Sequence, residues 1–134
     1  MENNDKYIDL VEKALTVREN AHAPYSGFQV GAAILGGSGT IYTGCNIENS
    51  SYSMTLCAER TALAKAVSEG EKSFEAIAIA ADTKKPIPPC GACRQVLAEF
   101  NPGMTVVMTT LTGECTVQSL KELFPHPFSK SDLP

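Results

Sequence analysis

Long apolar runs are absent from this sequence, as are internal repeats and low-complexity segments. No stretch approaches the ~20 consecutive apolar residues that a membrane-spanning helix needs. The first ten residues, MENNDKYIDL, are polar and acidic and do not resemble a secretion signal. We therefore expect a cytoplasmic protein with no membrane partner. Its 134 residues predict a single domain spanning 1–134.

An excess of basic residues is absent too. The chain has 11 lysines and arginines against 15 aspartates and glutamates, so its formal net charge is −4. Binding to a nucleic-acid backbone requires a basic face. This charge balance therefore predicts no nucleic-acid partner and favours a small-molecule substrate.

The cysteines do not form an even set. There are five of them, and an odd number in a reducing compartment argues against a disulfide framework. Metal ligation, thiol catalysis and simple burial remain as explanations. The five are Cys45, Cys57, Cys90, Cys93 and Cys115.

Hydrophobic periodicity and turn residues predict an α/β fold, with a mixed five-stranded sheet between two layers of helices. The strand–helix–strand unit over 74–110 should be parallel and right-handed. The expected elements are a helix at 5–20, strands at 28–35 and 40–45, a helix at 57–69, a strand at 74–81, a helix at 91–100, strands at 105–110 and 114–117, and a short helix at 119–123.

Two predicted helices begin with cysteine. Cys57 opens TLCAERTALA, and Cys90 and Cys93 stand at the start of the helix in PPCGACRQVL. Helix N-termini stabilise thiolates, and the two-residue gap of Cys90-Gly-Ala-Cys93 lets both sulfurs reach one metal. Three thiolates with one open position are typical of a catalytic zinc. Glu59 could reach that position without being a ligand.

Other interpretations of this pattern exist. A Cys-x-x-Cys pair is also found in thioredoxin-like redox proteins. A structural zinc would need a fourth ligand, for which Cys115 or His22 are candidates. Glu59 or Arg60 alone would suit a solvated helix face. The joint occurrence of Cys-Ala-Glu and Pro-Cys-Gly-Ala-Cys favours the catalytic zinc site.

These segments, with APYSGFQVGAA from Ala23 and GCNIENSSY from Gly44, resemble the small free-nucleoside cytidine deaminases over nearly the whole chain. The resemblance implies that fold and one zinc per chain, held by Cys57, Cys90 and Cys93. It implies that Glu59 moves protons during hydrolytic deamination of cytidine and deoxycytidine to uridine and deoxyuridine, with release of ammonia.

The same resemblance assigns roles to five further residues. Arg60 would compensate the negative charge of the thiolates. Asn46 and Glu48 would bind the ribose hydroxyls, Phe28 would pack on the pyrimidine, and Phe128 would enter the site of a neighbouring subunit in a homotetramer. Without the resemblance, Asn46 and Glu48 suit a helix-capping loop, Phe28 a strand core, and Phe128 a tail bound to its own subunit.

Alternative functions are a deaminase of another cytosine nucleoside, such as blasticidin S, and a non-enzymatic structural zinc module. A deaminase that edits RNA or DNA is less favoured, because the chain is short and acidic. Cys45 and Cys115 are expected to be buried apolar side chains. His22 and His126 receive no role.

Overall fold

The computed structural model describes the backbone of residues 2–134 and the side-chain surroundings of residues 7–134. Met1, which begins the predicted domain and the polar N-terminal segment, lies outside the described residues. The helices are α1 (Glu2–Arg18), α2 (Ala58–Ser68), α3 (Gly91–Phe100) and α4 (Leu120–Leu123), and the strands are β1 (Val30–Gly36), β2 (Ile41–Cys45), β3 (Phe74–Ala81), β4 (Thr105–Thr110) and β5 (Cys115–Ser119).

The five strands form one mixed sheet in the order β2-β1-β3-β4-β5. Only β3 and β4 are parallel, and α3 connects them; the other neighbours are antiparallel. The short connections at 37–40 and 111–114 allow only antiparallel pairs, whereas the parallel pair needs a crossover. The predicted mixed five-stranded sheet is therefore confirmed.

Helices cover both faces of the sheet, as predicted. On one face, Ile77 and Ile79 of β3 belong to a buried cluster with residues of α2, α3 and α4. On the other face, Ala76 and Ala78 pack in a cluster with Leu10 of α1. Successive residues of a strand point to opposite faces, so a strand as apolar as β3 is buried on both.

Two glycines bring helices unusually close to the sheet. A Cβ on Gly31 of β1 would lie 2.0 Å from the carbonyl oxygen of Ala14 in α1, and one on Gly44 of β2 would lie 2.4 Å from the backbone nitrogen of Ala62 in α2. Distances this short are impossible for any larger residue. The second contact sets α2 against β2 and so places the N-terminus of α2.

The first strand begins at Val30, two residues later than the sequence predicts. The Asn46 side chain takes the place of a strand partner here, donating to the Phe28 carbonyl at 2.8 Å and accepting from the Val30 N–H at 2.8 Å. Gly27, with φ +71°, turns the chain just before. Phe28 therefore lies in a loop and not in a strand core.

The expected burial of Cys45 and Cys115 is wrong. Cys115 is exposed and Cys45 is half-buried. Both lie on the outermost strands of the sheet, β5 and β2, which have a neighbour on one side only. The first three residues of β5 are all exposed.

Among the described residues, no helix combines the length and the apolar character needed to cross a bilayer.

Candidate metal centre and adjoining pocket

Three cysteines meet where two helices begin. Cys57 is the N-cap of α2, Cys90 is the N-cap of α3, and Cys93 follows in the first turn of α3. Their sulfurs lie within 4.8 Å of one another, and those of Cys57 and Cys90 are 3.7 Å apart. In the part of the chain that the structure describes, neither His22 nor Cys115 joins this group. The set therefore consists of three soft sulfur ligands at positive helix ends, which suits zinc.

The thiols of Cys57 and Cys93 have pKa values shifted in opposite directions. Hydrogen bonding from the Cys93 thiol, with smaller contributions from Arg60 and Cys90, lowers the pKa of Cys57 to about 5 against the opposing effect of burial. The same interaction raises the pKa of Cys93, which keeps its proton. A divalent cation would displace the remaining protons, since thiolates are the metal-binding form.

Arg60 lies against the sulfurs, one helical turn after Cys57. Its Nη2 is 3.8 Å from the Cys57 sulfur and donates to the Thr55 carbonyl at 3.4 Å. Its Nε is buried and has no hydrogen-bond partner in the described structure. Hydrogen bonding with Cys57 raises the pKa of the guanidinium. A permanent positive charge is thus held beside the Cys57 thiol, whose pKa is lowered.

Glu59 is a buried carboxyl in the first turn of α2. Its relative exposure is 5%, and burial raises its pKa to about 7. It lines the same pocket as Cys57 and Cys90. A carboxyl with a pKa in this range can both accept and release a proton near neutrality, as general acid–base chemistry requires.

The pocket beside the cysteines has a volume of about 250 Å³. Phe28 and Asn46 line it together with Glu59, so the structure brings these predicted residues to one place. Phe28 is 38% exposed, whereas Asn46 is buried. The rest of the wall is mainly apolar and comes from Val30, Thr55, Leu56, Cys57, Ala58, Ile79, Ile87, Pro88 and Cys90.

Glu48 lines a neighbouring cavity of about 360 Å³, which shares Thr55 with the first. Its carboxylate accepts hydrogen bonds from the backbone N–H groups of Tyr25 and Ser26, at 3.0 and 3.1 Å, and from the Ser26 hydroxyl. The Ser26 hydroxyl contributes most to lowering the pKa of this carboxylate. Glu48 is therefore an ionised acceptor at the edge of the pocket that also holds the loop before Phe28.

Phe128 does not line the pocket of its own chain. Its side chain is 60% exposed and borders a shallow depression together with Pro125, His126 and Pro127. Its backbone is hydrogen-bonded to Gln95 of α3. The tail is thus attached to α3 of its own chain while the ring remains exposed.

Sequence reasoning assigned no role to Arg94 and Gln95, although both stand in the quoted PCGACRQV segment. Arg94 donates from Nε to the Pro89 carbonyl at 2.8 Å and from Nη1 to the Leu123 carbonyl at 2.9 Å. It thereby ties the residue before Cys90 to the end of α4. The position of Arg94 and Gln95 directly after Cys93 was the sequence feature that could have indicated a role for them.

Comparison with known proteins agrees with this geometry. The family described as "Cytidine and deoxycytidylate deaminase zinc-binding region" matches residues 4–109. Cytidine deaminase from Sporosarcina psychrophila is 57% identical over 125 residues, covering 92% of each chain, and that from Halalkalibacterium halodurans is 52% identical, covering 92% of this chain and 95% of the relative.

A solved structure is similar as well. The crystal structure of cytidine deaminase from Burkholderia pseudomallei is 47% identical, covers 90% of this chain and 98% of its own, and superposes with a TM-score of 0.87. The match to the family extends over most of the chain and includes all three clustered cysteines. The chain therefore belongs to the cytidine and deoxycytidylate deaminase zinc-binding family.

Proposed function

We propose that this protein is a zinc-dependent cytidine deaminase, which converts cytidine and deoxycytidine to uridine and deoxyuridine with release of ammonia. The observation that carries the proposal is the shared pocket. Buried Glu59 and the sulfurs of Cys57 and Cys90 line one cavity of about 250 Å³ with mainly apolar walls. The names of the similar proteins support this choice of substrate.

Cys57, Cys90 and Cys93 would hold the zinc, which when bound supplies a Lewis acid that makes water nucleophilic near neutral pH. Glu59 accepts a proton from the attacking water and delivers it to N3 of the cytosine ring. It then takes the second proton of that water from the hydroxyl formed at C4 and passes it to the departing amino group, so that cytidine and water become uridine and ammonia. Its pKa of about 7 suits both directions of transfer.

The remaining side chains bind and orient the nucleoside. Phe28 packs on the pyrimidine ring, and Asn46 and Glu48 bind hydroxyls of the sugar. Asn46 already uses its amide to bridge Phe28 and Val30. One amide hydrogen and one oxygen lone pair remain for a ligand, and the bridge couples the ring contact to the sugar contact.

Steady-state assays with cytidine, deoxycytidine, cytosine, CMP and blasticidin S would test the proposal. We expect turnover of the two nucleosides, with ammonia released in equal amount to the pyrimidine consumed. Activity on blasticidin S alone would select the other cytosine-nucleoside deaminases. If the zinc-loaded protein is inactive on every compound, the remaining interpretation is a non-enzymatic structural zinc module.

Replacing Glu48 with alanine should lower kcat/KM for cytidine by about 10- to 100-fold, because a charged acceptor for sugar hydroxyls is lost. Any activity on free cytosine should be little affected. Ser26→Ala is the matched control, because it removes a loop hydrogen bond of the same carboxylate and leaves the carboxylate in place. An equal loss on cytidine and on cytosine would show that Glu48 is needed only for the loop.

Replacing Arg60 with alanine should reduce kcat by about 10- to 100-fold, as expected for a partner of a metal ligand, and change KM less. Without its positive charge, the thiolates neutralise the metal more completely and weaken it as a Lewis acid. Arg60→Lys, which retains a charge, should recover part of the loss. An unchanged kcat in Arg60→Ala would restrict this side chain to a structural role.

We further propose that the protein acts in the cytoplasm in pyrimidine salvage, as a homotetramer in which Phe128 closes the pocket of a neighbouring subunit. Two features support the shared site: the ring of Phe128 is exposed, and it is not among the residues that line the pocket of its own chain. An aromatic lid would exclude water and stack on the pyrimidine, worth about 1 kcal/mol beyond the buried area.

Refolding Glu59→Ala and Phe128→Ala chains together with zinc should give more activity than the sum of the two mutants. Mixed assemblies then contain sites with Glu59 from one chain and Phe128 from another. Separately refolded mutants, mixed afterwards, are the control. If hybrids form and activity stays at the sum, Phe128 does not act across the interface; a nearly fully active Phe128→Ala protein would remove the lid role itself.

A further inference from the structure

The side-chain amide of Gln95 holds the backbone of Phe128 at two points. Its Nε2 donates to the Phe128 carbonyl at 2.7 Å, and its Oε1 accepts from the Phe128 N–H at 3.0 Å. One planar group thus satisfies the donor and the acceptor of one residue, as a neighbouring β-strand would. The pair joins α3 to a tail residue 33 positions away.

The residues on both sides of Phe128 are also constrained. Pro127 has a restricted φ and no N–H. The Ser129 N–H donates to the Asp132 carboxylate at 2.8 Å, which begins a short turn. The backbone is therefore held before, at and after Phe128, while its side chain remains 60% exposed.

Gln95 belongs to the helix that carries two of the clustered cysteines. It lies two residues after Cys93 and five after Cys90, in the second turn of α3. A helix rises about 1.5 Å per residue, so the cysteine turn and the attachment point of the tail are parts of one short rigid element. The position of the tail is thereby linked to that of the metal centre.

We infer that Gln95 is a positioning residue for deamination: by holding the Phe128 backbone against α3, it presents the ring for closure over the pyrimidine bound in a neighbouring subunit. The inference rests on the proposed function. A ring on an unattached tail would lose conformational freedom each time it closed, whereas an attached one has already lost it. Gln95 therefore acts on substrate binding through Phe128.

Gln95→Met keeps the size of the side chain and removes both hydrogen bonds. We expect KM for cytidine to rise about five- to tenfold, the loss that corresponds to one aromatic contact, with a smaller change in kcat. Zinc content should stay at one per chain. Gln118→Met, the same exchange on β5, is the matched control and should behave as wild type.

Gln95→Glu removes one of the two hydrogen bonds and keeps the other. A carboxylate can still accept from the Phe128 N–H, but it cannot donate to the Phe128 carbonyl and repels it. We expect this variant to be as impaired as Gln95→Met. Wild-type kinetics for Gln95→Glu would overturn the two-point attachment.

The decisive comparison is the double variant Gln95→Met/Phe128→Ala. If Gln95 acts through the ring, the double variant should match Phe128→Ala alone, because no ring remains to be positioned. If the losses of the two single variants multiply in the double variant, or if Gln95→Met loses zinc, the inference is overturned and Gln95 is a structural residue of α3.

Hydrogen exchange separates this inference from the proposed function, because it requires no turnover. In Gln95→Met the Phe128 amide should exchange at least about tenfold faster, since its acceptor is lost, while α3 keeps its protection. Unchanged exchange at Phe128 would overturn the attachment. A wild-type protein that turns over no nucleoside would contradict the proposed function and the role of Gln95 in it, whereas the attachment of the tail would still be decided by exchange.

Discussion

Replacing Glu59 with alanine should lower kcat for cytidine at least about a thousandfold. This is the size of effect expected for a positioned general acid–base group that serves more than one proton transfer. The reason is its location: it is the buried carboxyl that lines the pocket beside Cys57 and Cys90. Zinc should remain bound at one equivalent, because the clustered ligands are three sulfurs and include no carboxylate oxygen.

The matched variant is Glu59→Gln, which keeps the shape of the side chain and cannot carry the proton. It should be as inactive as Glu59→Ala. The melting temperature of both variants should be close to that of the wild type or higher, since a buried carboxylate stabilises a fold poorly. Kinetics, metal analysis and thermal melting provide the measurements. Zinc loss, or activity within a few-fold of wild type, would contradict the role assigned to Glu59.

Replacing Cys93 with serine should abolish both zinc retention and activity. Cys93 is fully buried, so the hydroxyl that replaces its thiol cannot be compensated by water, and alcohol oxygen is a far weaker zinc ligand than thiolate. In the wild type, X-ray absorption should find three sulfur neighbours of one zinc at about 2.3 Å.

Cys115→Ser is the matched control for Cys93→Ser. Cys115 is exposed on β5 and lies outside the cysteine group, so this variant should keep its zinc and its activity. Zinc retention by Cys93→Ser would remove Cys93 from the ligand set. A four-sulfur zinc shell in the wild type would end the proposed function, because no position would remain for water.

Most of the secondary structure was predictable because its signals are local. The predicted bounds of β3, β4 and α3 agree with the structure, since each element is a short apolar or amphipathic segment between clear turn residues. The start of β1 was not predictable in this way. Phe28 has a side chain typical of strands, but the amide of Asn46, 18 residues from Phe28 and 16 from Val30, replaces the strand pairing there.

In the candidate site, too, local features were predictable from the sequence and features that depend on tertiary packing were not. Cys57, Cys90 and Cys93 were identifiable because a cysteine at a helix start is readable from a few neighbouring residues. The environment of Glu59 was not: its burial and its raised pKa follow from α2 packing against the sheet. Sequence reasoning named the carboxylate, and the tertiary structure made it a group that titrates near neutrality.

The sequence by itself therefore determined the order of the elements and indicated both the deaminase family and the set Cys57, Cys90 and Cys93, because each element and each motif is a local pattern of about ten residues. Only the tertiary structure decided the pairing of Glu48 with Ser26, the bridge from Arg94 to Leu123 and the attachment of Phe128 to Gln95. These bonds join residues 22 to 33 positions apart. They leave no periodic trace along the chain, because the folded sheet and not the local sequence brings their partners together.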